Sequence, residues 1–211
     1  FSKLMAYLPQ YNYIVSEQAS FMDLAIIFKS DLFEFVRQYE PFSDNDYNFA
    51  GRPPLQADLL INTNDGKIPI SVINIHMKCC DSGLQRRKNA VNMLHDYVDG
   101  IFEAQSNIIL LGDWNDDTKD EPGQHSFDAF FDDNRFHFVT EEISYDLSQA
   151  SYPKEPWVSF LDHILVSNNL VSPGSNYNVQ TIKMGDYMGG YKNYDTYISD
   201  HLPVLLSFPK P

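Results

Sequence analysis

Apolar residues along this chain fall into short runs, many of them β-branched, and one long stretch repeats them most clearly at helical spacing. Phe1 to Leu8 reads as the last turns of an amphipathic helix, stopped by Pro9. Candidate strands follow at Tyr13 to Val15 and Leu24 to Phe28. Asp58 to Asn62 and Ile68 to Ile75 flank Asn64-Asp65-Gly66-Lys67, whose Asp-Gly pair is a tight-turn signal, so a hairpin is expected whose second arm delivers His76 at its exit. The helical stretch comes next. Ser82 and Gln85 suggest a capping box, and Leu84, Val91, Leu94, Val98 and Ile101 share one face. Asn107 to Leu111 reads as a buried strand ending at Gly112-Asp113. A second helix is predicted from Ser126 to Asp132, and Glu141 to Trp157, without periodicity, as a long surface loop. Two last strands are expected at Phe160 to Val166 and Leu202 to Phe208, separated by a Gly- and Tyr-rich loop from Met184 to Tyr197. Strands alternating with helices, plus hairpins, give a mixed α/β (α+β) system of sheets covered by helices.

Composition narrows this picture. A chain of 211 residues that is 43% hydrophobic, with no linker, repeat or low-complexity tract, is expected to form one domain over 1–211. No apolar run approaches the roughly 20 residues that span a bilayer, so a soluble domain is expected; cytosolic, secreted and periplasmic locations all stay open. The net charge of -14 argues against a surface built to bind polyanions. A carboxylate cluster that recruits a divalent cation would add to that count and reverse the local field. Cys79 and Cys80 are adjacent, so they neither staple a loop nor complete a structural zinc site.

Four motifs, each at the end of an apolar run, carry the candidate chemistry: Asn74-Ile75-His76, Gly112-Asp113-Trp114-Asn115, Leu161-Asp162-His163-Ile164 and Ser199-Asp200-His201. Asp113 and Asn115, two apart beyond a strand, project to one side and offer oxygen ligands to a hard cation or orient a water. An Asx turn is the bland alternative. Asp162 and His163 are neighbours in a strand and point to opposite faces, so one alone belongs to a site. Asp is less welcome in an apolar strand, which favours Asp162 and leaves His163 to pack behind it. A buried Asp holds an imidazole's tautomer, so Asp162 is expected to orient His201, with Asp200 facing a metal or the attacking water. Arg52 is a candidate phosphate contact or a structural ion pair. His95, His125 and His137 receive no role. With no Walker loop, nucleophile elbow or zinc spacing, water is the expected nucleophile and a phosphoester the expected substrate.

These four motifs, in this order, resemble the endonuclease/exonuclease/phosphatase superfamily, the fold of pancreatic deoxyribonuclease, from about Tyr13 to the C-terminus. The resemblance implies a four-layer α/β/β/α sandwich of two mixed sheets with magnesium or manganese at one edge. It implies His201 with Asp162 as an acid–base dyad, His76 on the scissile phosphate, and Asp113 orienting or deprotonating water. Asn115 would hold a phosphoryl oxygen, and Asp200 would bind metal or position His201. The metal-binding Glu of the family's Gln-Glu motif is not in place. Glu17-Gln18 is reversed and reads as a hairpin turn, so the N-terminal strand region is expected to be missing. The expected function is a divalent-metal-dependent phosphoesterase acting on a small-molecule, lipid-headgroup or nucleic-acid ester. A nuclease, or a binding module that keeps the fold with impaired catalysis, is the alternative.

Overall fold

The computed structural model describes residues 1–17 and 22–209. Its centre is a mixed sheet of six strands. These are β3 (Phe33–Tyr39), β4 (Leu55–Thr63), β5 (Gly66–His76), β6 (Ile108–Asp113), β7 (Phe136–Phe138) and β8 (Asp162–Ser167), in the order β3-β4-β5-β6-β8-β7. The predicted hairpin is β4–β5, paired from Leu55↔Asn74 to Thr63↔Gly66. Helix α2 (Leu84–Phe102) crosses from β5 to its parallel neighbour β6, because parallel strands need a long connection.

That crossover fixes which face of the sheet is which. Ala90, Val91, Leu94 and Val98 of α2 lie against Ile73, Ile75, Ile108 and Leu110 in one cluster, each at most 1% exposed. Burying each of the larger side chains stabilises the fold by about 2 kcal/mol. The other face carries two separate two-stranded ladders. One pairs β1 (Tyr11–Val15) with β2 (Ala25–Lys29) and packs Ile14, Ile26 and Phe28 on β4. The other pairs β9 (Asn178–Thr181) with β10 (Val204–Ser207) and packs on β8 through Ile164 and Val166. Helix α1 (Ser2–Met5) follows Phe1, whose ring meets Tyr13 edge-on at 5.0 Å, on the outside of the first ladder. The layers therefore run helix, six-stranded sheet, ladders, short helix, in the order expected. Among the described residues no helix is long and apolar enough to cross a membrane.

Several local expectations are corrected. No side chain caps α2: the chain enters it through a short 3-10 turn, Asp81–Gly83, so the Ser82–Gln85 box does not form. The segment from Glu141 to Trp157 is no loose loop. It holds α4 (Glu141–Ser144), a 3-10 turn at Leu147–Gln149 and a bridge between Tyr152 and Ser159, with Ala150 and Ser151 buried. The late loop contains a 3-10 turn, Met184–Tyr187, and α5 (Tyr191–Tyr197). The second predicted helix shortens to α3 (Asp128–Phe131). Strands β3, β7 and β9 had no expectation at all. Residue Gln18, half of the reversed Glu17-Gln18 pair, lies outside the described residues. The Glu17 carboxylate accepts from Gln38 Nε2 at 3.3 Å, at the β3 edge of the sheet.

Candidate active site

Strand register assembles the site. His76↔Asp113 are partners across β5–β6 and Asp113↔Asp162 across β6–β8, so three side chains stand in one row at the strand ends. Alternation keeps that row on the ladder side, where Ile109 pairs with Val166 and Leu111 with Ile164. Gly112 makes the row possible. A Cβ there would lie 2.0 Å from the Ile75 carbonyl oxygen, and its φ of +136° suits glycine alone.

Asp113 both turns the chain and faces the cavity. Its Oδ1 accepts from the Asn115 backbone N–H at 2.8 Å, which is the Asx turn, and Asn115 sits at φ 53°. Asn115 Nδ2 donates to Asp113 Oδ2 at 2.9 Å and to the Met77 carbonyl at 3.1 Å. With both amide hydrogens engaged, Asn115 offers its oxygen to the site. His76 Nε2 lies 3.2 Å from Asp113 Oδ2. Burial, together with Arg52 and His201, pushes the His76 imidazole down to about 4, so it is neutral at pH 7.

His201 reaches the row from the segment just before β10. Its backbone N–H donates to Ser199 Oγ at 3.0 Å, and its Nδ1 lies 2.7 Å from Asp162 Oδ2. Tyr152 packs on the imidazole at 5.1 Å between ring centroids. Burial disfavours the charged ring, but Asp162, by hydrogen bond and charge, overcomes it, and Asp113 and Asp200 add to the pull; the result is about 9. Asp113 moves the other way from an ordinary carboxylate, up to about 7, through burial and the neighbouring charge of Asp162. One ligand atom each from Asp113, Asp162 and His201 lies within 4.8 Å of the others.

His163, next to Asp162, is fully buried on the opposite face. Its Nδ1 meets Thr140 Oγ1 at 3.1 Å, and Nε2 meets the carbonyls of Phe160 and Asp116 at 3.0 and 3.1 Å. Three other histidines lie outside the site: His95 meets Asp133, His137 meets Asn168, and His125 accepts from the Phe127 N–H. Asp200 lines the cavity but stands outside the trio. Arg52 also lines it, donating to the Met77 carbonyl at 2.8 Å; among the described residues no carboxylate pairs with it, so the structural ion pair is not what is found.

The cavity is broad, about 1630 Å³, above the ~300–1,000 Å³ usual for closed small-ligand pockets. Trp157 lines it at 70% exposure, whereas the late-loop Tyr187 and Tyr197 point to solvent and Tyr194 is buried. Two supporting groups escaped the sequence reading. Ser151 Oγ accepts from the N–H groups of Leu161 and Asp162, and nothing in its surroundings signals that. Arg87 did leave a signal, since it falls on the apolar stripe of α2 with Val91, Leu94 and Val98. It is 4% exposed and pairs with Asp116 at 3.1 Å.

Comparison with known proteins bears on the family and the fold. The profile described as "Endonuclease/Exonuclease/phosphatase family" matches residues 4–210. No curated protein sequence matches the chain. Among solved structures, TDP2 of D. rerio humanized by 14 mutations superposes with a TM-score of 0.72 at 14% identity, over 99% of this chain and 80% of that one. The mannosyl-6-phosphatase of Bacteroides thetaiotaomicron gives 0.59 at 20% identity, over 98% and 80%. The human Nocturnin catalytic domain with bound sulfate gives 0.55 at 18%, over 85% and 66%. At these identities the structures speak for the fold.

Proposed function

Since the chain belongs to the endonuclease/exonuclease/phosphatase family, we propose that it is a divalent-metal-dependent phosphoesterase in which water attacks phosphorus. The observation that carries this reading is the row His76, Asp113, Asp162 with His201 closing over it, because two carboxylates and two imidazoles from four separate segments converge on one cavity. The donor set suits a hard cation. Carboxylate and amide oxygens are the ligands magnesium and manganese take, and an Asp lifted to about 7 marks a place where negative charge lacks a full counterion. Oxygens of Asp113, Asn115 and Asp200 would hold the ion. When bound, it neutralises charge on the phosphoryl and leaving oxygens.

The chain's own groups account for the proton movements. Asp113 orients the attacking water and accepts its proton as the new P–O bond forms. His201 is protonated at pH 7 and held through Nδ1 by Asp162, so its Nε2 is left to deliver a proton to the departing oxygen as the old P–O bond breaks. His76 and Arg52 contact the scissile phosphate; Arg52 supplies the charge, since among the described residues no carboxylate pairs with its guanidinium. Asn115, whose amide hydrogens are both engaged, contributes as an oxygen ligand in preference to holding a phosphoryl oxygen.

The test is hydrolysis of a generic phosphodiester and phosphomonoester with magnesium, with manganese, and with chelator. Turnover that needs the metal and is lost in Asp113→Asn, which keeps the acceptor of the Asx turn, supports the reading; metal-independent turnover, or none on either ester class, overturns it. A nuclease is the second reading, and exposed Trp157 on the cavity wall favours it, since a base stacks on such a ring at about 1–3 kcal/mol. Trp157→Ala then weakens cleavage of a single-stranded oligonucleotide and leaves a small ester unaffected.

A further inference from the structure

At the mouth of the same cavity stand two thiols that the phosphoesterase chemistry does not use. Cys79 is half-buried, Cys80 is exposed, and their sulfurs are 2.9 Å apart, inside van der Waals contact. Both residues line the cavity with Lys78 and Arg52.

The backbone holds the pair on both sides. The Met77 carbonyl accepts from Arg52 Nη2 at 2.8 Å and Asn115 Nδ2 at 3.1 Å. The carbonyls of Lys78 and Cys80 accept from Arg87 Nη1 at 2.9 and 2.8 Å, and Arg87 is itself locked to Asp116. Gly83 lets this clamp close, since a Cβ there would lie 2.9 Å from the Lys78 carbonyl oxygen and 3.1 Å from Arg87 Nη1. Cys80 is held at φ 70°, in the left-handed region that side-chain-bearing residues seldom adopt.

Two chemistries use a pair of thiols, and the spacing separates them. A tetrahedral metal with bonds of ~2.3 Å would set its two thiolates about 3.7 Å apart, and further ligands are needed. Here the sulfurs are closer than that, and among the described residues the one cluster fit for a metal is Asp113, Asp162 and His201. A disulfide needs ~2.05 Å, a short closure from the observed distance.

We propose that Cys79 and Cys80 are a modification site at which a peroxide closes a reversible disulfide between neighbouring residues, releasing Lys78 into the cavity. The Cys80 S–H and Lys78 ammonium both favour the Cys79 thiolate, with Lys78 Nζ 3.5 Å from the sulfur. That thiolate attacks a peroxide oxygen, the O–O bond breaks, and a sulfenic acid and water result. Cys80 sulfur then displaces the sulfenyl oxygen as a second water. In balance, two thiols and one hydrogen peroxide give one disulfide and two waters. Adjacent Cα atoms are about 3.8 Å apart, less than the usual ~4.4–6.8 Å span, so the closed bridge is easily reduced, which fits a switch and not a staple. Closure removes the anion beside Lys78 and leaves its ammonium to an incoming phosphate.

The experiment is intact-mass and peptide mapping after stoichiometric hydrogen peroxide, then dithiothreitol, on wild type, Cys79→Ser and Cys80→Ser. Wild type is expected to lose two hydrogens within the peptide holding both cysteines and to regain them on reduction. Cys80→Ser is expected to accumulate a dimedone-trappable sulfenic acid at Cys79. Sulfinic or sulfonic acids, or intermolecular dimers, in wild type overturn the site. The coupling to Lys78 rests on the phosphoesterase reading and is measured separately. Oxidation should lower KM for an anionic ester about two- to fivefold, as expected for one partly exposed charge, and Lys78→Gln should abolish that response. A disulfide that leaves KM unchanged overturns the coupling alone, whereas the mass result stands whether or not the enzyme turns over.

Discussion

Asp113 and Asp133 are both side chains with little exposure, 15% and 10%, and each touches a histidine, yet they shift in opposite directions. Asp133 is drawn down to about 2 because Arg135 grips both its oxygens at 2.6 to 3.1 Å and His95 adds a further contact at 3.0 Å. Asp113 is pushed up to about 7 because burial and Asp162 outweigh His201 and Arg52. The difference teaches what a site looks like electrostatically. Where a carboxylate serves the fold, the chain supplies its cations; at Asp113, to which the proposed function gives the chemistry, charge is left for something from outside.

The largest expected effect breaks the site's side of this contrast. His201→Ala or Asp162→Asn should lower kcat by about 10²- to 10⁴-fold while the chain still folds cooperatively, measured by steady-state hydrolysis and calorimetry. Asp133→Asn should leave kcat unchanged. Equal losses in both places would erase the distinction.

A smaller effect sharpens it. Asp113→Asn keeps the acceptor of the Asx turn but removes a charge that the fold tolerates poorly. In chelator the variant should be more stable than wild type by about 1–2 kcal/mol in urea denaturation. Millimolar magnesium should then stabilise wild type and not the variant, because an ion that binds the folded state alone adds about 2.7 kcal/mol at a hundredfold excess over its Kd. A wild type insensitive to magnesium, or a variant weaker in chelator, contradicts the reading of Asp113.

How much of this was legible in the sequence follows from which signals are local. The β4–β5 hairpin, α2 and β6 were readable because a turn dipeptide, a helical stripe and a solid apolar run each announce themselves. The opposite faces of Asp162 and His163 followed from strand alternation alone. The edge strand β3 was not readable: five of its seven residues are exposed, so no alternation marks a buried face, and a bulge between Phe35 and Arg37 shifts its register. The turns within 141–157 escaped for another reason. What orders that segment is distant, such as Thr181 Oγ1 donating to the Gln149 carbonyl and Thr118 Oγ1 donating to Ser144 Oγ. Motifs named the candidate groups, but strand register, a long-range property, set His76, Asp113 and Asp162 in one row.

The smallest effect tests the structural member of the pair through pH. A carboxyl whose folded value lies near 2 and whose ordinary value is 3.8 binds its proton more weakly in the folded chain. Its stabilising contribution is therefore complete above about pH 4 and fades as pH falls through about 2. Since Arg135 is partly exposed, solvent discounts the pairing to about 1–2 kcal/mol. Asp133→Asn should cost that amount at pH 7, and in urea titrations taken downward from pH 5 the gap from wild type should narrow once the pH falls below about 4. Arg135→Gln should give nearly the same curve, because it removes the cation that sets the Asp133 value. Were the gap between wild type and Asp133→Asn constant from pH 5 to pH 3, the Asp133 carboxylate would not be stabilised by its charge, and Asp133 and Asp113 would no longer stand as opposites.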